Sequence, residues 1–384
     1  LVNRAIQGQY NLGSSFKPFV AYAALDSGQL VGGSEYEYPD RGSYQLTSID
    51  KETCLVVKCI YRNALCGGGN YACRYGDVTV EDALAVSSDT FFYKIGEEIF
   101  AQRGGQPILQ DEVRKFGFGS RTGIDLPFET AGRVPDKVSK KKLVEDGALM
   151  AGESTDYLVG DNVQLAVGQG LLAASPLQLA QAYGALANGG DVNRPLVGRA
   201  LLQPGTPNSD IVGYADMSQA VVETFLANKD TIRSMNIPDE IRDPIIRGLS
   251  RVITGPGVTF GSYHSTTGER LFQSYPYDIL PIAGKTGTAQ GRAALPWNDS
   301  SAFGAFSLDP TQPIVVTAYL EKSGYGAKAA APVVKCMFMA VAGVAKMGEV
   351  LPSNPLDITA TVAAPQRLLS NKSCLSGAAY GGRD

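Results

Sequence analysis

Apolar residues between positions 14 and 30 recur at helical spacing: Phe16, Phe19, Val20, Ala23 and Ala24 share one side, and Ser27-Gly28 stops the run. From Val31 to Tyr75 that period is lost and Gly, Ser, Tyr and Cys dominate, which predicts a loop-rich excursion with short strands. Helical spacing returns from Asp77 to Phe100 through Val80, Ala83, Leu84, Phe91, Phe92, Ile95 and Ile99. Ser87-Ser88-Asp89 breaks it midway. These side chains compete for backbone hydrogen bonds, so a turn between two helices is expected there. After the loop 121–127, a polar, lysine-rich stretch runs to Lys142 and reads as solvated surface. Ser175 as N-cap, Pro176 in the first helical position and Asn188-Gly189-Gly190 as the stop frame the next helix. Two further helical patterns cover Met217 to Leu226 and Ile241 to Ile253.

Beyond Gly255-Pro256-Gly257 the period becomes that of strands, at Ile282 to Gln290, Ala302 to Leu308 and Ile314 to Leu320. Asp309-Pro310-Thr311-Gln312 is a turn sequence joining the last two. Ala329 to Met347 closes the pattern as a helix, and the residues from Leu351 onward carry no period and predict no regular structure. Helices first and an antiparallel meander last predict a mixed α+β domain with helical insertions.

Composition narrows the chemistry. A chain of 384 residues with 44% apolar content buries a large core, and its net charge of −4 argues against a nucleic-acid surface. His264 is the single histidine, and no serine sits in a Gly-x-Ser-x-Gly elbow, so a Ser-His-Asp triad and histidine-based zinc sites are not expected. If the protein has a nucleophile, lysine is the base to look for. No metal and no cofactor are expected. No run reaches the roughly 20 apolar residues of a membrane span, and the opening Leu1-Val2-Asn3-Arg4 is no signal peptide. Cys54, Cys59, Cys66 and Cys73 are close enough for two disulfides in any of three connectivities; a four-cysteine zinc site lacks the usual Cys-x-x-Cys pair. Cys336 reads as a core residue of a helix, and Cys374 as free or paired. Trp297 reads as a rim or packing aromatic.

Three short motifs carry the candidate chemistry. Ser14 and Lys17 in Gly13-Ser14-Ser15-Phe16-Lys17-Pro18 lie at i and i+3, so on a helix the amine reaches the hydroxyl, as an acyl-transfer nucleophile and its base require. The spacing alone is common: Ser48/Lys51 and Ser139/Lys142 share it. Ser87-x-Asp89 is commoner still, recurring at Ser48/Asp50, Ser154/Asp156 and Ser307/Asp309. Lys285-Thr286-Gly287-Thr288, on the first strand of the meander, offers a cation and hydroxyls for a carboxylate, and Gly287 leaves room for another backbone.

In order, Ser14-x-x-Lys17, Ser87-x-Asp89 and Lys285-Thr286-Gly287 resemble the active-site triplet of penicillin-binding proteins and serine β-lactamases. The text around them resembles the class B penicillin-binding protein transpeptidase domain over about residues 1–347. It includes Phe116-Gly117-Phe118-Gly119, Thr122-Gly123-Ile124-Asp125-Leu126-Pro127, Gly168-Gln169-Gly170 and Ala187-Asn188-Gly189-Gly190. Asp89, where most relatives carry asparagine, is similar to the elongation-type enzyme, penicillin-binding protein 2. As a carboxylate it accepts rather than donates, so holding Lys17 or a protonated substrate amide is its alternative task.

The resemblance implies an antiparallel sheet flanked by helices with a largely helical subdomain. It implies a transpeptidase domain at about residues 1–350 with a Cys-rich insertion at about 50–76, followed by an extension from 351 to 384. Relatives place two sheet strands and a membrane anchor ahead of the Ser-x-x-Lys helix, so an N-terminally truncated piece of a longer protein is expected. The implied activity is D,D-transpeptidation of peptidoglycan stem peptides through an acyl-enzyme on Ser14. Lys17 would be the base, Ser87 the proton relay, and Lys285 with Thr286 or Thr288 the carboxylate site. The N–H groups of Ser14 and Thr288 would form the oxyanion hole. β-Lactams are the implied inhibitors, a membrane glycosyltransferase of the shape machinery the implied partner, and the outer face of the bacterial cytoplasmic membrane the implied location. The alternatives are a β-lactamase or β-lactam sensor of the same fold, although no Glu-x-x-Leu-Asn-type loop is present, or an inactive scaffold.

Overall fold

The computed structural model describes residues 2–64, 73–149, 152–198, 230–255, 270–291, 299–344 and 374, and the backbone of 200–202 and 221–224. The single turn α1 (Arg4–Gln7) and a 3₁₀ turn at Gly13–Phe16 lead into α2 (Lys17–Asp26). The α-helix therefore begins three residues after Ser14, and Pro18 takes its second position. Every residue of α2 from Lys17 to Ala24 is buried, because other elements surround it. Phe19 packs edge-on against both Phe118 and Tyr183, with ring centroids at 5.0 and 5.4 Å.

Among its described residues the excursion that follows forms short antiparallel ribbons, as its composition predicts. Strand β1 (Tyr38–Asp40) pairs with β4 (Gly76–Val78), and β2 (Ser43–Gln45) pairs with β3 (Ile60–Arg62). Cys54 is bonded to Cys59, which excludes the zinc alternative for that pair; Cys73 is disulfide-bonded too, and Cys66 lies outside the described residues. Helices α3 (Val80–Val86) and α4 (Asp89–Gln102) meet at the Ser87-Ser88 turn, and α5 (Ile108–Lys115) follows. The lysine-rich stretch is not all solvated. It forms α6 (Lys137–Glu145), and Lys140 is buried there because its ammonium donates to Asp161 at 2.7 Å from α7 (Val159–Leu165).

Helix α8 (Pro176–Ala187) opens on Ser175, whose hydroxyl accepts the Gln178 N–H while Gln178 accepts the Ser175 N–H. Strand β5 (Asp191–Asn193) then precedes β6 (Ala200–Leu202), and β7 (Val221–Thr224) pairs with β6, where a helix from Met217 to Leu226 was expected. A run opening on two valines suits a strand when a partner strand is available, and spacing alone does not reveal that partner. Strand β8 (Thr231–Ser234) pairs with β5, and α9 (Asp239–Thr254) covers the second expected helix.

The meander is antiparallel: β9 (Ile282–Ala289), β10 (Ser300–Ser307) and β11 (Val315–Leu320) lie in the order β11-β10-β9. One face packs Ala283 and Phe306 into the core around α2, and the other packs Phe303 and Ala305 against Val334 and Phe338 of α10 (Ala330–Val341). The architecture is the mixed α+β one expected, with helices on both faces of an antiparallel sheet. Cys336 of α10 is not simply a core residue, because it is bonded to Cys374, 38 positions on. His264, Trp297 and the rest of the extension lie outside the described residues.

Candidate active site

The residues of all three motifs meet around one cleft of about 310 Å³, lined by Ser14, Ser87, Asp89, Thr286, Gly287 and Thr288 among others. Backbone contact places the first motif. Gly13 has φ +54°, and a Cβ there would lie 2.3 Å from the Thr288 carbonyl oxygen. A Cβ on Gly287 would lie 2.3 Å from the Leu12 carbonyl oxygen and 2.9 Å from the Ser15 amide. The turn carrying Ser14 therefore lies directly on β9, which is the close approach that Gly287 predicts. Gln169 secures the junction by donating to the Thr288 carbonyl at 2.9 Å, and the Thr288 hydroxyl accepts the Gly326 N–H at 3.2 Å.

The two lysines sit behind the cleft, both buried. The Lys17 ammonium donates to Asp89 Oδ1 at 2.6 Å, to the Ser87 carbonyl at 2.9 Å and to Ser87 Oγ at 3.3 Å. It thereby joins the first two motifs. Among the described residues no hydrogen bond links Lys17 Nζ to Ser14 Oγ; the lysine is turned toward Asp89, one of the two tasks open to that carboxylate. Burial pushes the Lys17 pKa down, and the Asp89 carboxylate partly opposes it. Lys285 is pushed well below its ordinary value, by burial first and then by the like charge of Lys17. Among the described residues its hydrogen bond is a long one, 3.3 Å to the Thr286 carbonyl, so Nζ has donor capacity left for a further partner.

Ser87 caps α3 in the left-handed region, at φ 60° and ψ 38°. That conformation costs a non-glycine residue about 1–2 kcal/mol, and it turns both its carbonyl and its hydroxyl toward Lys17. Ser88 caps α4 by accepting the Phe91 N–H, and donates to the buried carboxylate of Asp40.

Sequence reasoning missed two residues here. Asn63, next to β3, accepts the N–H groups of Asp89 and Thr90 through one oxygen, and its amide donates to both Asp40 oxygens at 2.8 and 2.9 Å. The Ala64 N–H donates to Asp89 Oδ2 at 3.1 Å. The Cys-rich excursion thus supports the Ser87-x-Asp89 motif directly. Neither Asp40 nor Asn63 sits in a motif, and no pattern in the sequence points to them. Of the four clustered cysteines none lines the cleft among the described residues, although the strand after Cys59 does.

Residues 62–338 match the family described as penicillin binding protein transpeptidase domain; Ser14 and Lys17 lie ahead of the matched span. The peptidoglycan D,D-transpeptidase MrdA of Haemophilus influenzae is 28% identical over 348 residues, covering 87% of this chain and 44% of MrdA. MrdA of Escherichia coli K12 is 32% identical over 195 residues, covering 51% of this chain and 26% of its own length. The crystal structure of Pseudomonas aeruginosa PBP2 in complex with WCK 5153 matches with a TM-score of 0.65 and 27% identity, over 88% of this chain and 62% of that one. The chain spans less than half the length of these curated relatives. The kinship is with MrdA and PBP2, the branch to which Asp89 points. With more than half of its residues inside the family match, the chain belongs to the penicillin-binding protein transpeptidase domain family.

Proposed function

We propose that this chain is the catalytic part of a peptidoglycan D,D-transpeptidase, with residues 1–350 as the transpeptidase domain and 351–384 as an extension. The observation that carries the reading is the meeting of Ser14, the Lys17–Ser87–Asp89 cluster and Lys285-Thr286-Gly287-Thr288 around one cleft. Ser14 Oγ attacks the carbonyl between the two terminal D-alanines of a stem peptide, and its proton passes to Lys17 in its neutral form. The substrate carboxylate rests on Lys285 with Thr286 or Thr288. The N–H groups of Ser14 and Thr288 stabilise the oxyanion, where one such donor is worth roughly 10²–10³ in rate. Collapse of the tetrahedral intermediate breaks the peptide C–N bond, and Ser87 relays a proton to the departing D-alanine amine. An amine of a second stem peptide then attacks the ester, forming the cross-link and freeing Ser14. Kinship to MrdA supports action on the outer face of the cytoplasmic membrane, beside a membrane glycosyltransferase of the shape machinery. Among the described residues no helix is long and apolar enough to cross a membrane.

The test is labelling with a fluorescent penicillin. Wild type should carry the adduct on Ser14 by mass spectrometry, and Ser14→Ala should carry none. Label that survives in Ser14→Ala would remove the assignment. An adduct lasting hours supports a transpeptidase, whereas turnover within seconds would move the reading to a β-lactamase.

A further inference from the structure

One wall of the cleft is the outer edge of the Cys-rich excursion, and its residues alternate strictly through β3. Cys59, Tyr61 and Asn63 point inward and are buried, whereas Lys58, Ile60, Arg62 and Ala64 are exposed and line the cleft that holds Ser14. The inward set fixes the outward one. The Tyr61 ring packs on Tyr93 with centroids at 5.0 Å, Asn63 is hydrogen-bonded to Asp40, and the Cys54–Cys59 bond closes the loop just before the strand. The Ala64 N–H on Asp89 ties this wall to the Ser87-x-Asp89 motif. The backbone that carries two cations is therefore fixed in the wall of the cleft that holds Ser14.

Lys58 lies over the Tyr61 ring at 4.8 Å, and among the described residues neither Lys58 nor Arg62 forms an ion pair. Of the acidic side chains lining the cleft, Asp89 is committed to Lys17, and Asp299 stands just ahead of β10, where it accepts the Gly291 N–H. Lys58, just ahead of β3, and Arg62, its last residue, share the outward phase of the alternation and line the same wall, as a subsite for a negatively charged group would require.

We propose that Lys58 and Arg62 form a second carboxylate subsite, which recognises an acidic side group of the acyl donor apart from the terminal carboxylate assigned to Lys285. The inference rests on the transpeptidase reading, and it names the substrate class as anionic stem peptides. Carbenicillin and benzylpenicillin are suitable probes, because they differ by one carboxylate on the side chain. The readout is the ratio of their second-order acylation rate constants on the full chain, in which a general loss of activity cancels.

In Lys58→Gln/Arg62→Gln the carbenicillin-to-benzylpenicillin ratio should fall about five-fold at low ionic strength, the scale of two partly exposed ion pairs. Salt near 0.5 M should shrink the difference between wild type and variant, since exposed charges are screened within about a Debye length. Arg62→Glu should lower the ratio further, and Arg62→Gln alone carries the test if the double variant does not fold. An unchanged ratio with both penicillins still on Ser14 overturns the subsite and leaves the transpeptidase reading standing. If neither penicillin acylates Ser14, both readings fall together.

Discussion

The two sides of the cleft are held by different means. On the sheet side, backbone lies on backbone: Gly13 and Gly287 bring the Ser14 turn against β9 with no room for a Cβ. On the opposite side, side chains do the holding, as Asn63, Asp40 and Ser88 link the Cys-rich excursion to the start of α4 through hydrogen bonds. A backbone contact has no side chain that can adjust, whereas a polar network can re-form around a substitution at reduced strength. The sheet side should therefore respond more steeply to a small change.

The largest effect is expected at Gly287→Ala and Gly13→Ala. Each added methyl would need its neighbour to move by about 1 Å, a displacement that can cost roughly 100-fold in rate. Gly13→Ala adds about 1–2 kcal/mol of left-handed strain. Acylation of Ser14 by benzylpenicillin measures this, and a loss under threefold at both positions would show that the turn is not held this way.

On the other side, Asn63→Ala strips two hydrogen bonds from a buried carboxylate and one acceptor from the first amides of α4. Leaving such groups unsatisfied costs about 1–3 kcal/mol, read by urea unfolding, while acylation should fall by only about tenfold. Adding Asp40→Asn should restore part of the stability, because a buried charge left with only the Gly42 and Ser88 hydrogen bonds is the costly element. If the double variant is no more stable than Asn63→Ala, the network is not the support described here.

Asp89 lies between the two sides, and its effect is read in the pH dependence of acylation. Only neutral Lys17 can take the Ser14 proton, so acylation should rise with pH as that lysine deprotonates. Burial lowers its pKa and the Asp89 carboxylate raises it again. Asp89→Asn removes the opposing charge, so the Lys17 pKa should fall further and the rising limb should move to lower pH. A limb that moves upward or stays fixed would show that Lys17 is not the titrating base.

The same contrast explains what was legible in the sequence. Local features were readable: the Ser175/Gln178 capping box, the break at Ser87-Ser88-Asp89, the meander and the glycine of Lys285-Thr286-Gly287 each follow from the residues beside them. Features set by partners distant in the chain were not. Strand β7 needs β6, the buried Lys140 needs Asp161, and Cys336 needs Cys374. Asn63 is the clearest case. It sits between disulfide-bonded cysteines in a segment of irregular composition, yet its amide contacts both Asp40 and the start of α4.

The smallest effect on acylation should come from the Cys54–Cys59 and Cys336–Cys374 bonds, and they separate stability from recognition. Cys54 and Cys59 close a span of only 5 positions, against 38 for Cys336 and Cys374. On a chain-entropy basis the first bond is worth about 2 kcal/mol and the second about 4 kcal/mol. Cys336→Ser/Cys374→Ser should therefore lower the unfolding midpoint more, while leaving the carbenicillin-to-benzylpenicillin ratio where it is, since α10 packs on the far face of the sheet. Cys54→Ser/Cys59→Ser should cost less stability and yet shift that ratio, because the bond holds the loop leading into Lys58 and Arg62. If both pairs shifted the ratio equally, the Cys-rich wall would have no special part in recognition, and its role would reduce to supporting Asp89.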